Sequence, residues 1–317
     1  MLALALALWG GLMAVGQLVP PYSEVLGNAG HMLGPLPQML LGIAMVMVLF
    51  ENERNAVQEN ALAFSTLGVD PRRLLSAEDL VPSMFSAAGA KVLFNYQSAK
   101  TQADALVAEC GEARTVAVAC DLSGLDSAKD LVTETVKRFG RLDILVANHG
   151  IWPPKDAPID EMSDAQWRGT VSVNLDSVFS LIRHSVAQMK KQRKLSTGDG
   201  GHIVLVSSTA AQRGEAYHVD YAATKGALIS MVKGLSTELA KDGILVNCVA
   251  PGWVGTEMSE PALNDPITRD KIFATIPVGR VATPEQIAAP ILFLCTEHAA
   301  FITGEIFNVN GGAVLAG

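Results

Sequence analysis

Ile203-Val-Leu-Val206, then Ser208, then Tyr221-Ala-Ala-Thr-Lys225 is the stretch on which the reading of this chain turns. Ile203 to Val206 is an unbroken run of branched apolar residues, the composition of a strand buried on both faces of a parallel sheet. Five similar runs surround it: Lys91 to Asn95, Thr115 to Ala119, Ile144 to Ala147, Leu245 to Val249 and Ile306 to Val309. Amphipathic helical patterns fill the intervals, and Gly111 and Gly140 fall just past two of them, beginning near Ser98 and Ser127, as helix stops. Strands alternating with helices predict an α/β fold, a doubly wound parallel sheet of Rossmann-like type, from Met84 to the C-terminus.

Tyr221 and Lys225 stand at i and i+4, so one helical turn separates them on one face. A phenol with a pKa near 10 is a poor proton donor or acceptor at neutral pH. A neighbouring ammonium favours its ionised form and is expected to draw it toward working range. Ser208, placed just beyond a strand end, can hydrogen-bond a substrate oxygen where negative charge gathers. A Tyr-x-x-x-Lys pair alone is weak evidence and is also compatible with an exposed helix pair.

Its company decides between them. Residues 84–317 resemble the short-chain dehydrogenase/reductase family, most closely its 3-oxoacyl-(acyl carrier protein) reductase-like members. Asn174 in Val-Asn-Leu matches the family asparagine that holds a water relay to the lysine, completing a catalytic set of Ser208, Tyr221, Lys225 and Asn174. Asn148-His149-Gly150 matches the family turn beside the cofactor. His149 departs from the family's alanine, and as a turn residue it is expected to point to solvent, the alternative being a reshaped cofactor rim. Pro251-Gly252-Trp253-Val254-Gly255-Thr256 matches the segment whose Val254 backbone and Thr256 hydroxyl bind the nicotinamide carboxamide, and Asp121-Leu122 the pair beside adenine. Tyr221 and Lys225 also count among the cofactor contacts. The resemblance implies an oxidoreductase acting on CH–OH groups and exchanging hydride between a nicotinamide cofactor and a carbonyl or secondary alcohol. It further implies a homodimer or homotetramer, whose contacts the tail Gly304 to Gly312 would support. The strand end Asn95-Tyr96-Gln97-Ser98 carries no acid to repel a 2′-phosphate, and Lys100 is near, so NADP(H) is favoured over NAD(H). Trp152 and Ser259 to Thr275 are expected to border the pocket for a small-molecule or acyl-thioester carbonyl substrate.

One family unit is missing. No strand followed by Thr-Gly-x-x-x-Gly-x-Gly precedes Lys91, although that loop normally cradles the cofactor pyrophosphate at a helix N-terminus. The lost strand would sit in mid-sheet. Leaving its neighbours' backbone groups unpaired, at about 1 to 3 kcal/mol each, would rival a domain's stability of roughly 5 to 15 kcal/mol. Ile43 to Phe50 is the candidate surrogate strand, yet Glu51-Asn52-Glu53 would then set acids where a diphosphate binds. The competing functional reading is therefore a membrane-attached or fused regulatory or binding module whose reductase-like portion does not bind cofactor productively.

Composition sets the outer bounds. The 317 residues carry a net charge of −8 and no basic stripe, which argues against nucleic acid as a partner. Cys110, Cys120, Cys248 and Cys295 show no C-x-x-C pairing, and the histidines no ligand spacing, so neither a disulfide framework nor a metal is expected. No Lys or Arg occurs before Arg54. Met1 to Val19 and Leu33 to Phe50 are apolar and near the roughly 20 residues of a membrane helix. Residues 1–52 read as an apolar segment forming a two-helix membrane hairpin, or as an apolar helix pair buried in a soluble core. Arg54, Arg72 and Arg73 would hold the catalytic domain in the cytoplasm, anchored to the inner membrane through residues 1–50. Residues 53–83 read as a helical connector with Pro71 and Pro82 as breakers, and residues 84–317 as the catalytic domain.

Overall fold

The computed structural model describes residues 77–195 and 198–315. The membrane hairpin, the surrogate strand Ile43 to Phe50 and the connector up to residue 76 lie outside the described residues. Among the described residues no helix is long and apolar enough to cross a membrane.

The elements in chain order are α1 (Ala77–Ala87), β1 (Val92–Tyr96), α2 (Lys100–Cys110), β2 (Thr115–Ala119), α3 (Ser127–Phe139) and β3 (Ile144–Ala147). Then come α4 (Asp164–Val171), a π turn (Ser172–Asp176), α5 (Ser177–Met189), β4 (Gly201–Val206), α6 (Thr209–Arg213) and α7 (Val219–Leu239). The chain ends with β5 (Ile244–Pro251), α8 (Glu260–Asn264), α9 (Pro266–Ala274), α10 (Pro284–Phe293) and β6 (Ile306–Val309). Every strand pairing is parallel. The sheet is thus of the doubly wound α/β class expected, with strand limits within two residues of those read from the sequence.

Period-two alternation along β4 divides its side chains between two helical layers. Ile203 and Leu205 point to the cluster with Leu228, Val232 and Leu239 of α7 and Val178 and Ile182 of α5. Val204 and Val206 point to the cluster with Ile287 and Ile291 of α10 and Leu80, Val81, Met84 and Phe85 of α1. The second cluster explains why α1 runs through Pro82, a residue expected to break the connector. An interior proline costs about 3 kcal/mol. Four buried side chains, at about 1.5 to 3 kcal/mol each, outweigh it.

The hydrogen-bonded strands form two sheets, β1-β2 and β3-β4-β5-β6. Among the described residues no strand joins β1 to β3, the place where the sequence reading puts the missing unit. The helical layers nevertheless continue across. Val92 of β1 packs in the α1 cluster with Ile144 and Val146 of β3, while Leu93 and Leu145 share the cluster with Leu131 of α3 and Leu181 of α5.

Candidate active site

The carboxyl ends of β3, β4 and β5 converge on the residues singled out by spacing, the edge at which open parallel sheets bind ligands. Ser208 follows β4 and caps α6, its hydroxyl accepting from the Ala210 N–H at 3.2 Å. Tyr221 and Lys225 lie in the first two turns of α7. The Ser208 hydroxyl is near enough to the Tyr221 phenol to favour its ionised form. Lys225 is buried, its Nζ donating to the Val206 carbonyl at 2.9 Å and the His149 carbonyl at 3.5 Å, and it sits 6.0 Å from the centre of the Tyr221 ring.

The electrostatic balance at Tyr221 differs from the expectation. Burial pushes its phenol above the ordinary value, the Ser208 hydroxyl opposes that rise, and Glu215 adds to it. Desolvation of the charged form outweighs the stabilisation of a phenolate.

Asn174 is fully buried and lies in the π turn that interrupts the helical path between α4 and α5. Its Oδ1 accepts from the Ile151 N–H at 2.8 Å, and its Nδ2 donates to the Ile151 carbonyl at 3.0 Å and to Thr224 Oγ1 at 3.3 Å. The side chain therefore clamps the loop after β3 onto α7. A Cβ at Gly150 would stand 3.0 Å from Lys225 Nζ and 3.3 Å from Asn174 Oδ1, so only glycine leaves both undisturbed. His149 does not point to solvent. Its Nε2 lies 2.6 Å from Ser177 Oγ, and burial, reinforced by the Lys225 charge, holds its pKa down to about 4.

One other group here escaped sequence reasoning. Asp220, fully buried, accepts from Thr170 Oγ1 at 2.8 Å, Gln166 Nε2 at 3.1 Å and the Tyr221 N–H at 2.9 Å, fixing the start of α7. An acid in a first helical turn was its only signal. Trp152 meets the Tyr221 ring edge-on at 4.8 Å and stacks on His218 at 3.9 Å.

The segment after β5 is tightly folded. Gly252 passes so close to the end of β6 that a Cβ would lie 3.0 Å from Asn310 Cα. Ser259 Oγ donates to the Val254 carbonyl at 2.5 Å and accepts from the Thr256 N–H at 3.1 Å, closing the loop that follows Pro251. Farther along the sheet edge, Asn95 Nδ2 donates to the Cys120 carbonyl at 3.4 Å. Ser123 holds the Asp121 carboxyl below its ordinary range, with Gln97 adding to the effect. Leu122 is core, packed on Ala128, Leu131 and Leu181, so its side chain is turned away from any ligand. Lys100 pairs with Asp104 at 2.6 Å on an exposed face.

A family model described as "Enoyl-(Acyl carrier protein) reductase" matches residues 81–314. The chain belongs to the short-chain dehydrogenase/reductase family. It is 36% identical over 235 residues to a 3-oxoacyl-[acyl-carrier-protein] reductase of Synechocystis sp., covering 73% of this chain and 89% of the relative. An L-rhamnose 1-dehydrogenase (NAD(P)(+)) of Sphingomonas sp. is 36% identical over 230 residues, covering 71% of this chain and 86% of its own. Among solved structures, a short-chain dehydrogenase/reductase titled glucose/ribitol dehydrogenase, from Brucella melitensis, aligns with a TM-score of 0.69 at 36% identity. That alignment covers 76% of this chain and 93% of the other. Membership makes the chain an oxidoreductase of CH–OH groups that works with a nicotinamide cofactor.

Two groups of described residues would hold the two ends of such a cofactor. At the nicotinamide end, Gly150 leaves backbone space beside Lys225 and the Pro251 to Thr256 loop is pre-folded. At the adenosine end, β1 finishes in Asn95 and Tyr96 without a carboxylate. A glycine-rich diphosphate cradle is not among the described residues.

Proposed function

We propose that this short-chain dehydrogenase/reductase reduces the ketone of a 3-oxoacyl thioester or a related small carbonyl compound with NADP(H), as a homo-oligomer. The observation that carries the reading is a buried Lys225, seated on two backbone carbonyls and 6.0 Å from the centre of the Tyr221 ring, with Ser208 at the end of the adjoining strand. The names of its 3-oxoacyl reductase relatives support the substrate class. The acid-free end of β1, with Lys100 at the start of α2, supports NADP(H).

Asn148, Gly150, Tyr221, Lys225, Pro251, Gly252, Val254 and Thr256 would hold the nicotinamide half of the cofactor, and Asn95, Asp121 and the Leu122 backbone the adenosine half. A nicotinamide held there would supply hydride to the carbonyl carbon. Ser208 donates a hydrogen bond to the carbonyl oxygen, where charge develops, and Tyr221 delivers the proton to that same oxygen. The raised phenol pKa keeps Tyr221 protonated at neutral pH, the form that reduction needs. Lys225 brings positive charge to the departing proton's site, and Asn174 keeps the Ile151 loop against α7 so that the lysine stays in place.

Titrating the full-length protein with NADPH and following cofactor fluorescence tests the reading. A saturable change and turnover of a 3-oxoacyl thioester are expected. No saturable change at high micromolar NADPH would overturn it, leaving the binding-module reading.

A further inference from the structure

We infer that His149 is a positioning residue, whose imidazole locks the π turn carrying Asn174 and thereby sets the seat of Lys225. The inference rests on the reductase reading above for its kinetic consequence, and on geometry for its physical content.

The π turn displaces the helical ladder. The Ser177 N–H reaches the Ser172 carbonyl, five residues back, and so does not bond the Val173 carbonyl that an α-helix would give it. The Ser177 hydroxyl takes over, with Oγ 2.6 Å from the Val173 carbonyl oxygen. A carbonyl can only accept, so the one hydroxyl proton of Ser177 lies on that bond. Ser177 Oγ must then accept from His149, which fixes the imidazole as the Nε2–H tautomer at 2.6 Å. The depressed pKa agrees with a ring held neutral.

A directed chain results: His149 Nε2–H to Ser177 Oγ, and Ser177 O–H to the Val173 carbonyl, one residue before Asn174. The same turn is tied a second time through the paired hydrogen bonds of Asn174 with the Ile151 backbone. Between the two ties lies Gly150, where a Cβ would stand 3.0 Å from Lys225 Nζ, and that ammonium is bonded to the carbonyl of His149 itself. Movement of His149 is thus transmitted to the lysine by its own backbone and to Asn174 through Ser177. An alanine at this position would keep the carbonyl but supply no link to Ser177.

The test is a double-mutant cycle in the full chain with His149→Phe, Ser177→Ala and the pair, plus His149→Gln, whose amide can still donate to Ser177. Each single variant is expected to lower kcat about tenfold with KM for NADPH within twofold, and the double to lose no more than a single. Gln should restore most of the rate. Wild-type kcat in His149→Phe, additive losses, or equal losses in Phe and Gln would overturn the inference. If the wild-type chain turns over no substrate, the reductase reading falls, and the positioning inference is judged separately by 15N spectroscopy of His149. A pure Nε2–H tautomer that becomes mixed in Ser177→Ala sustains it, and a mixed tautomer in the wild type sinks it.

Discussion

Replacing Gly150 by alanine should separate activity from stability, because the added methyl meets the one flexible group on which the site depends. Its Cβ would stand 3.0 Å from Lys225 Nζ and 3.4 Å from Cε, against a comfortable separation of roughly 3.5 to 4 Å. The ammonium must retreat by about half an ångström or more, and the side chain can do so at little steric expense. What it loses is its 2.9 Å hydrogen bond to the Val206 carbonyl and the longer one to His149. A charged hydrogen bond contributes about 1.5 to 3 kcal/mol. If that placement matters only in the transition state, kcat should fall roughly ten- to a hundredfold. Global stability should fall by about 1.5 to 3 kcal/mol, the range for overpacking and for the weakened hydrogen bond alike. Steady-state rates with NADPH and a 3-oxoacyl thioester, beside urea unfolding of the same samples, give both numbers. A kcat within twofold of wild type would refute the assigned role of the lysine seat, as would a loss of rate that merely tracks unfolding.

Tyr221→Phe should abolish turnover while leaving NADPH affinity near wild type; more than a tenth of the activity remaining counts against the proton-donor role. In the direction of alcohol oxidation, which needs the phenolate, the rate should climb with pH along a limb lying above the ordinary phenol value. Reduction, which needs the protonated form, should stay level through neutral pH, and a limb below the ordinary value would contradict the effect of burial. Asp220→Ala would strand the donors of Thr170, Gln166 and Tyr221 and should cost about 2 to 4 kcal/mol in urea unfolding. His149 has a folded pKa of about 4 and an ordinary unfolded one, so the unfolded chain binds the extra proton. Above the unfolded value the ring has no effect on stability; as pH falls from about 6.5 to 4 it should destabilise the fold by roughly 3 kcal/mol. His149→Phe should flatten the wild-type loss over that window, and parallel urea midpoints for the two proteins would disprove it.

The strands and the Tyr221–Lys225 pair were legible because each obeys a local rule, whereas Asn174 was singled out only by the family resemblance. Branched apolar runs such as Ile203 to Val206 announce themselves, and the i, i+4 spacing of Tyr221 and Lys225 is a property of the helix alone. What escaped depends on contacts across the fold. Nothing in Ser172-Val-Asn-Leu-Asp176 forecasts a π turn, since the same residues suit an α-helix and the change of register is stabilised by Ser177 and His149, the latter more than twenty positions away. His149 looked like a surface turn residue because exposure of a turn is a tendency, and here the turn backs onto α5. Pro82 obeys its local rule in costing a helix bond, and the core beneath α1 overrules it. The phenol of Tyr221 was read from its nearest charge, whereas its burial, a property of the whole pocket, decides the direction.

The π turn also acts as a phase setting for everything downstream of it. One extra residue per turn rotates the remainder of the helix by about 100° relative to an uninterrupted one. With that offset α5 buries Val178, Leu181, Ile182, Ser185 and Met189 and leaves Phe179 half outside. Excising a single residue from the turn would wind α5 back by about 100°, carrying part of its inward stripe toward solvent. The irregularity that presents one asparagine is therefore also the gearing by which a whole helix meshes with the sheet.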